Sequence, residues 1–151
     1  MPLNRDVIGR RYPAPTTFEV GREHIRSFAA AIGDDSPASS DPEAARALGH
    51  PDVVAPPTFL TALSFRFADS GPKNDPDLGL DYSRVVHGEQ SFELHRPVCA
   101  GDVLTSVLTV EDIRDAGRNE LIISRTDVTD AAGARVATVR TTTVSRGTAA
   151  G

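Results

Sequence analysis

The run Val53-Val54-Ala55-Pro56-Pro57-Thr58-Phe59-Leu60-Thr61-Ala62-Leu63-Ser64-Phe65-Arg66-Phe67-Ala68 is the most apolar long segment of the chain, and any fold must cover it. Its two prolines hold the entry extended. Beyond them Phe59, Leu60, Leu63 and Phe67 recur at helical spacing, with Thr61, Ser64 and Arg66 on the other side. The spacing predicts a helix beginning near Pro57, since proline at the first helical position gives up an N–H that would be unpaired there anyway. The next free donors are the amides of Thr58 and Phe59, which are placed to hold a carbonyl oxygen. The same pattern also describes a plain core helix of a small domain.

A sheet is needed to wrap that helix, and the second half of the chain supplies one. Val86, Gln90, Phe92 and Leu94 alternate with His87, Glu89, Ser91, Glu93 and His95, so a strand with one apolar face is expected from about Arg84. Further strand-like runs follow over Val103 to Glu111, Glu120 to Val128 and Ala134 to Val144, separated by Asp115-Ala116-Gly117 and Asp130-Ala131-Ala132-Gly133. They read as an antiparallel meander. In the first half, residues 1–15 carry four charges and three prolines without a period and are expected to form an arm. A short strand is expected over Thr16 to Val20. Ile25, Phe28, Ala29 and Ile32 mark an amphipathic helix ended by Gly33. Asp41 is placed to cap a second short helix with Pro42 at its first position and Gly49 just past its end. A long acidic loop runs from Ser70 to about Ser83 and is open to three readings: a lid, a binding loop or a mobile segment.

These elements predict an α+β fold with its helices on one side of an antiparallel sheet, in a single domain over residues 16–146 followed by a flexible tail at 147–151. At 151 residues with 39% hydrophobic content, the chain is long enough for a core without disulfides or metals. The net charge of −5 is spread without long runs, which argues against nucleic-acid and polybasic membrane contacts. Cys99 has no second cysteine to pair with, no apolar run reaches the roughly 20 residues of a membrane span, and the start lacks the apolar core of a secretory signal. A cytoplasmic protein is expected. The exposed strand edges expected of such a sheet favour pairing with another copy.

Three motifs together point to a family. Ala31-Ile32-Gly33-Asp34-Asp35-Ser36-Pro37, Gly49-His50-Pro51-Asp52-Val53-Val54-Ala55-Pro56-Pro57-Thr58-Phe59 and Phe92-Glu93-Leu94-His95-Arg96-Pro97-Val98-Cys99-Ala100-Gly101-Asp102 resemble the MaoC-like (R)-specific hydratases and dehydratases of the hot-dog fold. Within that group the chain is similar to the acyl-binding subunits of mycobacterial type II (3R)-hydroxyacyl-ACP dehydratases. The resemblance covers about residues 10–146. It implies an antiparallel sheet wrapped around a long central helix, paired into a homodimer or into a heterodimer with a catalytic hot-dog subunit. It also implies an acyl thioester of coenzyme A or acyl carrier protein as ligand and reversible loss of water from a 3-hydroxyacyl thioester as the reaction; no paired Cys/His spacing and no Gly-rich phosphate loop is present in the sequence, so neither metal nor cofactor is expected.

The family motif reads Gly-Asp-x-Asn-Pro-apolar-His, with Asp and His as the catalytic pair. Gly33, Asp34 and Pro37 match, Ser36 replaces the Asn, and Ser39 stands where the His belongs. Dehydration needs one group to take the C2 proton and another to protonate the leaving hydroxyl, and an unassisted serine has no pKa suited to either task. Asp34 is therefore half a site, and His50 is the first candidate to complete it. His87 and His95 are expected on one polar strand face, His24 away from the loop, and Cys99 as a buried, inert thiol. Asp34 and Asp35 are equally able to turn the loop through Asx hydrogen bonds. The resemblance places the thioester and acyl chain against Pro57, Thr58, Phe59, Leu63 and Phe67. Two readings stay open: an acyl-binding subunit of fatty acid biosynthesis whose partner supplies the chemistry, and an independently active enoyl-thioester hydratase using Asp34. A hot-dog thioesterase is disfavoured, because its usual helix carboxylate has no counterpart between Thr58 and Ala68.

Overall fold

In the computed structural model, which describes residues 1–150, the apolar run at 53–68 lies against one face of an antiparallel sheet. The elements in chain order are β1 (Arg11–Pro13), β2 (Phe18–Glu19), α1 (Arg22–Ala31), α2 (Pro42–Ala47), α3 (Thr61–Arg66), β3 (Val85–Leu94), β4 (Val103–Ala116), β5 (Asn119–Thr129) and β6 (Arg135–Ser145). The sheet order is β1-β4-β5-β6-β3, with β2 pairing separately along β4. This is the α+β hot-dog arrangement. Phe59, Leu60 and Leu63 are buried with Phe18, Ile25, Leu104, Val128 and Val139, so the helix is the floor on which the sheet's inner face closes.

The central helix is shorter than its hydrophobic period. Residues 57–60 form turns in which Phe59 N–H donates to the Pro56 carbonyl (2.9 Å) and Thr61 N–H to that of Thr58 (3.1 Å), and regular α-helix covers Thr61–Arg66 only. Ala68–Ser70 and Pro72–Asn74 continue as 3-10 turns.

The first fifteen residues are packed rather than free. Leu3 and Val7 are buried with Leu78, Val110, Ile113 and Ile122, and β1 pairs with β4. The buried Glu120 carboxylate accepts the Leu3 N–H at 2.9 Å. These short anchors leave no hydrophobic period, so sequence pattern does not display them. The early strand shrinks to Phe18–Glu19, and Ile32, expected on the buried face of α1, is exposed. At the other end Thr148 is buried and Ala149 N–H donates to the Arg118 carbonyl, against the expectation of a flexible tail; Gly151 lies outside the described residues.

The loop before β3 is fastened at its centre. Asp75 accepts hydrogen bonds from Arg10 and from the Tyr12 hydroxyl, both at 2.7 Å, while Leu78 is buried. Tyr12 and Arg10 hold the Asp75 carboxyl below the usual range, and burial together with Asp75 pushes the Tyr12 hydroxyl up to about 12.

A bulge in β3 changes which side chains share a face. The register with β6 shifts between His87 and Glu89, so Val85, His87, Gln90 and Phe92 face inward, and Val86 turns outward, 41% exposed. Gly88 occupies the bulge because a Cβ there would sit 3.1 Å from both the Thr142 carbonyl oxygen and the Val144 side chain. His87 and His95, expected on one face, are therefore on opposite sides. Among the described residues no helix is long and apolar enough to cross a membrane.

Candidate functional site

Four of the residues singled out from sequence meet at one cleft. Asp34, Ser39, His50 and Pro57 all border a cavity of about 530 Å³ at the entrance to the central segment, together with His95 and Arg96. Asp34 follows the Gly33 end of α1, where a φ of +72° turns the chain out of the helix, and its Oδ1 accepts the Ser36 N–H at 3.0 Å. His50 follows α2, which Asp41 caps through the Glu43 N–H and Gly49 ends with a φ of +89°. The His50 loop is held by Asp52, whose carboxylate takes a two-pronged contact from Arg22 at 2.8 and 2.9 Å and also accepts the Val53 N–H. These hydrogen bonds, Arg22 foremost, hold the Asp52 carboxyl down to about 2.

Ser39, at the position of the family histidine, is committed elsewhere. It is buried, and its hydroxyl donates to the Val54 carbonyl at 2.7 Å. A hydroxyl has one proton to give, so this bond ties the Asp34 loop to the helix entrance and leaves Ser39 no role as acid. His95, expected at solvent or an oligomer contact, instead borders the cleft, with Nε2 3.3 Å from the Thr138 hydroxyl. The signal available in sequence was its place next to the Arg96-Pro97 turn. The cleft thus offers one carboxylate and two imidazoles, the residue types that move protons near neutral pH.

The third motif builds the opposite wall. Asp102 accepts from both Arg96 terminal nitrogens, at 2.8 and 3.1 Å, and from the Cys99 N–H at 2.9 Å. The loop so braced gives its Val98 carbonyl to the Ala55 N–H at 2.7 Å and pairs Cys99 with Val54. Cys99 is buried, and burial, with the nearby Asp102 charge, pushes its thiol up from the ordinary value.

Leu63 and Phe67 line a different cavity, of about 470 Å³, between α3 and the inner face of the sheet. Its volume lies in the ordinary range for small-molecule sites. Residues 55–57 border the cleft and 61–68 the cavity, so one segment runs from the first to the second. Thr58 and Phe59 line neither. The Phe59 ring packs edge-on against Phe28 at 5.5 Å, Phe18 at 6.3 Å and His24 at 5.1 Å, and its amide is bound to Pro56. Of the two expected carbonyl donors, the Thr58 amide alone is not engaged by another backbone carbonyl.

Comparison with known proteins agrees with this fold. Residues 6–139 match the family model described as FAS1-like, dehydratase domain region. A UPF0336 protein of Parafrankia sp. (strain EAN1pec) is 56% identical over 99% of this chain and 98% of its own length. Among solved structures, a chain of the C-terminally truncated HadBC (3R-hydroxyacyl-ACP dehydratase) complex from Mycobacterium tuberculosis superposes with a TM-score of 0.83 at 32% identity, covering 92% of this chain and 97% of that one. A MaoC-like dehydratase superposes with a TM-score of 0.83 at 34% identity over 93% of this chain and 42% of its own. The sheet closed over a buried aromatic segment is accordingly that of a MaoC-like hot-dog protein, and the chain belongs to the FAS1-like dehydratase family.

Proposed function

We propose that this protein is the acyl-holding member of a (3R)-hydroxyacyl-thioester dehydratase of fatty acid metabolism. It takes the acyl chain of a coenzyme A or acyl carrier protein thioester into the cavity beside Leu63 and Phe67, and a catalytic hot-dog subunit supplies the missing histidine. The observation that carries this reading is Ser39: the residue at the histidine position is buried and its hydroxyl is engaged in a hydrogen bond to the Val54 carbonyl. Among the described residues the edge strand β3 has no neighbour beyond it and exposes Val86 and Leu94, which fits pairing with such a subunit in the cytoplasm. The HadBC relative is itself a complex. A second reading, a homodimeric hydratase active alone, is favoured by one observation, that Asp34 and His50 border the same cleft.

The cavity assignment has a direct test. Leu63→Trp or Phe67→Trp fills the space beside α3, and overpacking of this kind costs about 1–3 kcal/mol where the ligand needs the room, or about 5- to 150-fold in affinity. Calorimetric titration is expected to show that loss for long acyl-coenzyme A chains and little change for short ones. Equal losses at every chain length, or none, remove the cavity from the reading.

A further inference from the structure

The cavity beside α3 is not uniformly apolar, and three of its polar groups are arranged in a row. Its helix wall carries Leu63, Phe65, Phe67 and Ala68, against which a hydrocarbon chain can lie, together with Thr61 and Ser64. Its floor, the inner face of the sheet, carries Gln90, Thr141 and Ser124, and the register aligns them across three strands: Gln90 pairs with Thr141, and Thr141 with Ser124. Two inter-strand steps of about 4.8 Å make this a polar band roughly 10 Å long crossing the floor.

The band is unpartnered from within. Ser124 is 7% exposed and Thr126 beside it 8%, while among the described residues the serine and threonine hydroxyl hydrogen bonds are made by Ser39, Ser40, Ser64, Ser83, Thr138 and Thr148. The Gln90 amide is fixed at one end, because its Oε1 lies 2.8 Å from His87 Nε2, which must carry the proton to donate. That leaves Gln90 Nε2 buried, with two protons and no acceptor. A saturated chain laid over this floor would leave the donor unpaired, and an unpaired buried donor is unfavourable by more than a made hydrogen bond is favourable.

From this band we infer that the cavity selects acyl chains bearing an oxygen within the chain, a keto or hydroxyl group well beyond the carbon atoms that react. The oxygen accepts from Gln90 Nε2, and Thr141 and Ser124 complete its hydrogen bonding, while the flanking methylenes lie against Leu63 and Phe67. This rests on the reading of the cavity as the acyl site and specifies which acyl chains it takes. A water-filled band serving a plain chain is the competing account, and it predicts no preference.

The test is calorimetric titration of the full-length protein with dodecanoyl-coenzyme A and its 5-, 7- and 9-oxo derivatives, repeated with Gln90→Leu and with Thr141→Val, each checked for fold by circular dichroism. Wild-type protein is expected to bind at least one oxo isomer about tenfold more tightly than the plain chain. Gln90→Leu removes that preference, and Thr141→Val, nearly isosteric, reduces it. Plain-chain binding as tight as that of every oxo isomer, or a preference that survives Gln90→Leu, overturns the inference and leaves the acyl site standing. Absence of binding by all four thioesters overturns the acyl-site reading and this inference with it.

Discussion

Phe59→Ala is expected to remove about 3–5 kcal/mol of folding stability, the usual range for deleting a buried phenylalanine ring. Phe59 is 1% exposed and lies at the centre of an aromatic cluster that draws Phe18 from β2 and Phe28 and His24 from α1 onto the central segment. Such edge-on pairs add to the area buried. A domain of this size has roughly 5–15 kcal/mol in total, so the loss is a large part of it. In urea denaturation the midpoint should fall with an unchanged slope. Phe65→Ala, at a ring that is 77% exposed, should cost less than about 1 kcal/mol and serves as the control. A loss below about 1 kcal/mol at Phe59 would show that the segment is not the core on which the sheet closes.

Asp102→Ala is the second large effect. Its carboxylate accepts two hydrogen bonds from Arg96 and one from the Cys99 N–H, and bonds involving charged groups contribute about 1.5–3 kcal/mol each where they are sheltered from solvent. Arg96 is a third exposed, so the expected net loss is about 2–3 kcal/mol rather than the sum. The damage should spread beyond the loop, because Val98 and Cys99 hold Ala55 and Val54 at the helix entrance. Hydrogen exchange at the Ala55 and Cys99 amides should therefore quicken more than at β5. Asp102→Asn, which still offers an acceptor to Cys99, should fall between the two. Unchanged exchange at Ala55 would separate the third motif from the cleft it is argued to brace.

What was legible in the chain follows physical rules of short range. The period of Phe59, Leu60 and Leu63 marks the core segment because burial on one helical face requires that spacing, and the caps at Asp41 and Gly49 are read from local backbone demands. The strands of the second half agree with their alternation until Gly88, where one inserted residue reverses the faces. That reversal sent His87 to the inner cavity and Val86 outward, and no pattern of hydrophobicity announces it. Leu3 and Val7 dock through single side chains onto strands more than a hundred residues away, so they carry no period either. At the site, the meeting of Asp34, Ser39, His50 and Pro57 was legible through the motifs. The fate of Phe59 as core, the arrival of His95 and the polar band of Gln90, Thr141 and Ser124 depend on tertiary pairing.

The most direct test of the account is hydration of 2-enoyl-coenzyme A by the purified protein alone, measured beside binding of the same thioester and beside the Asp34→Asn variant. Because the Ser39 hydroxyl is engaged by the Val54 carbonyl and no histidine stands at its position, the account predicts binding without turnover, with hydration appearing on addition of a catalytic hot-dog subunit. Turnover by the chain alone, lost in Asp34→Asn, would contradict it and make Asp34 with His50 or His95 a complete site.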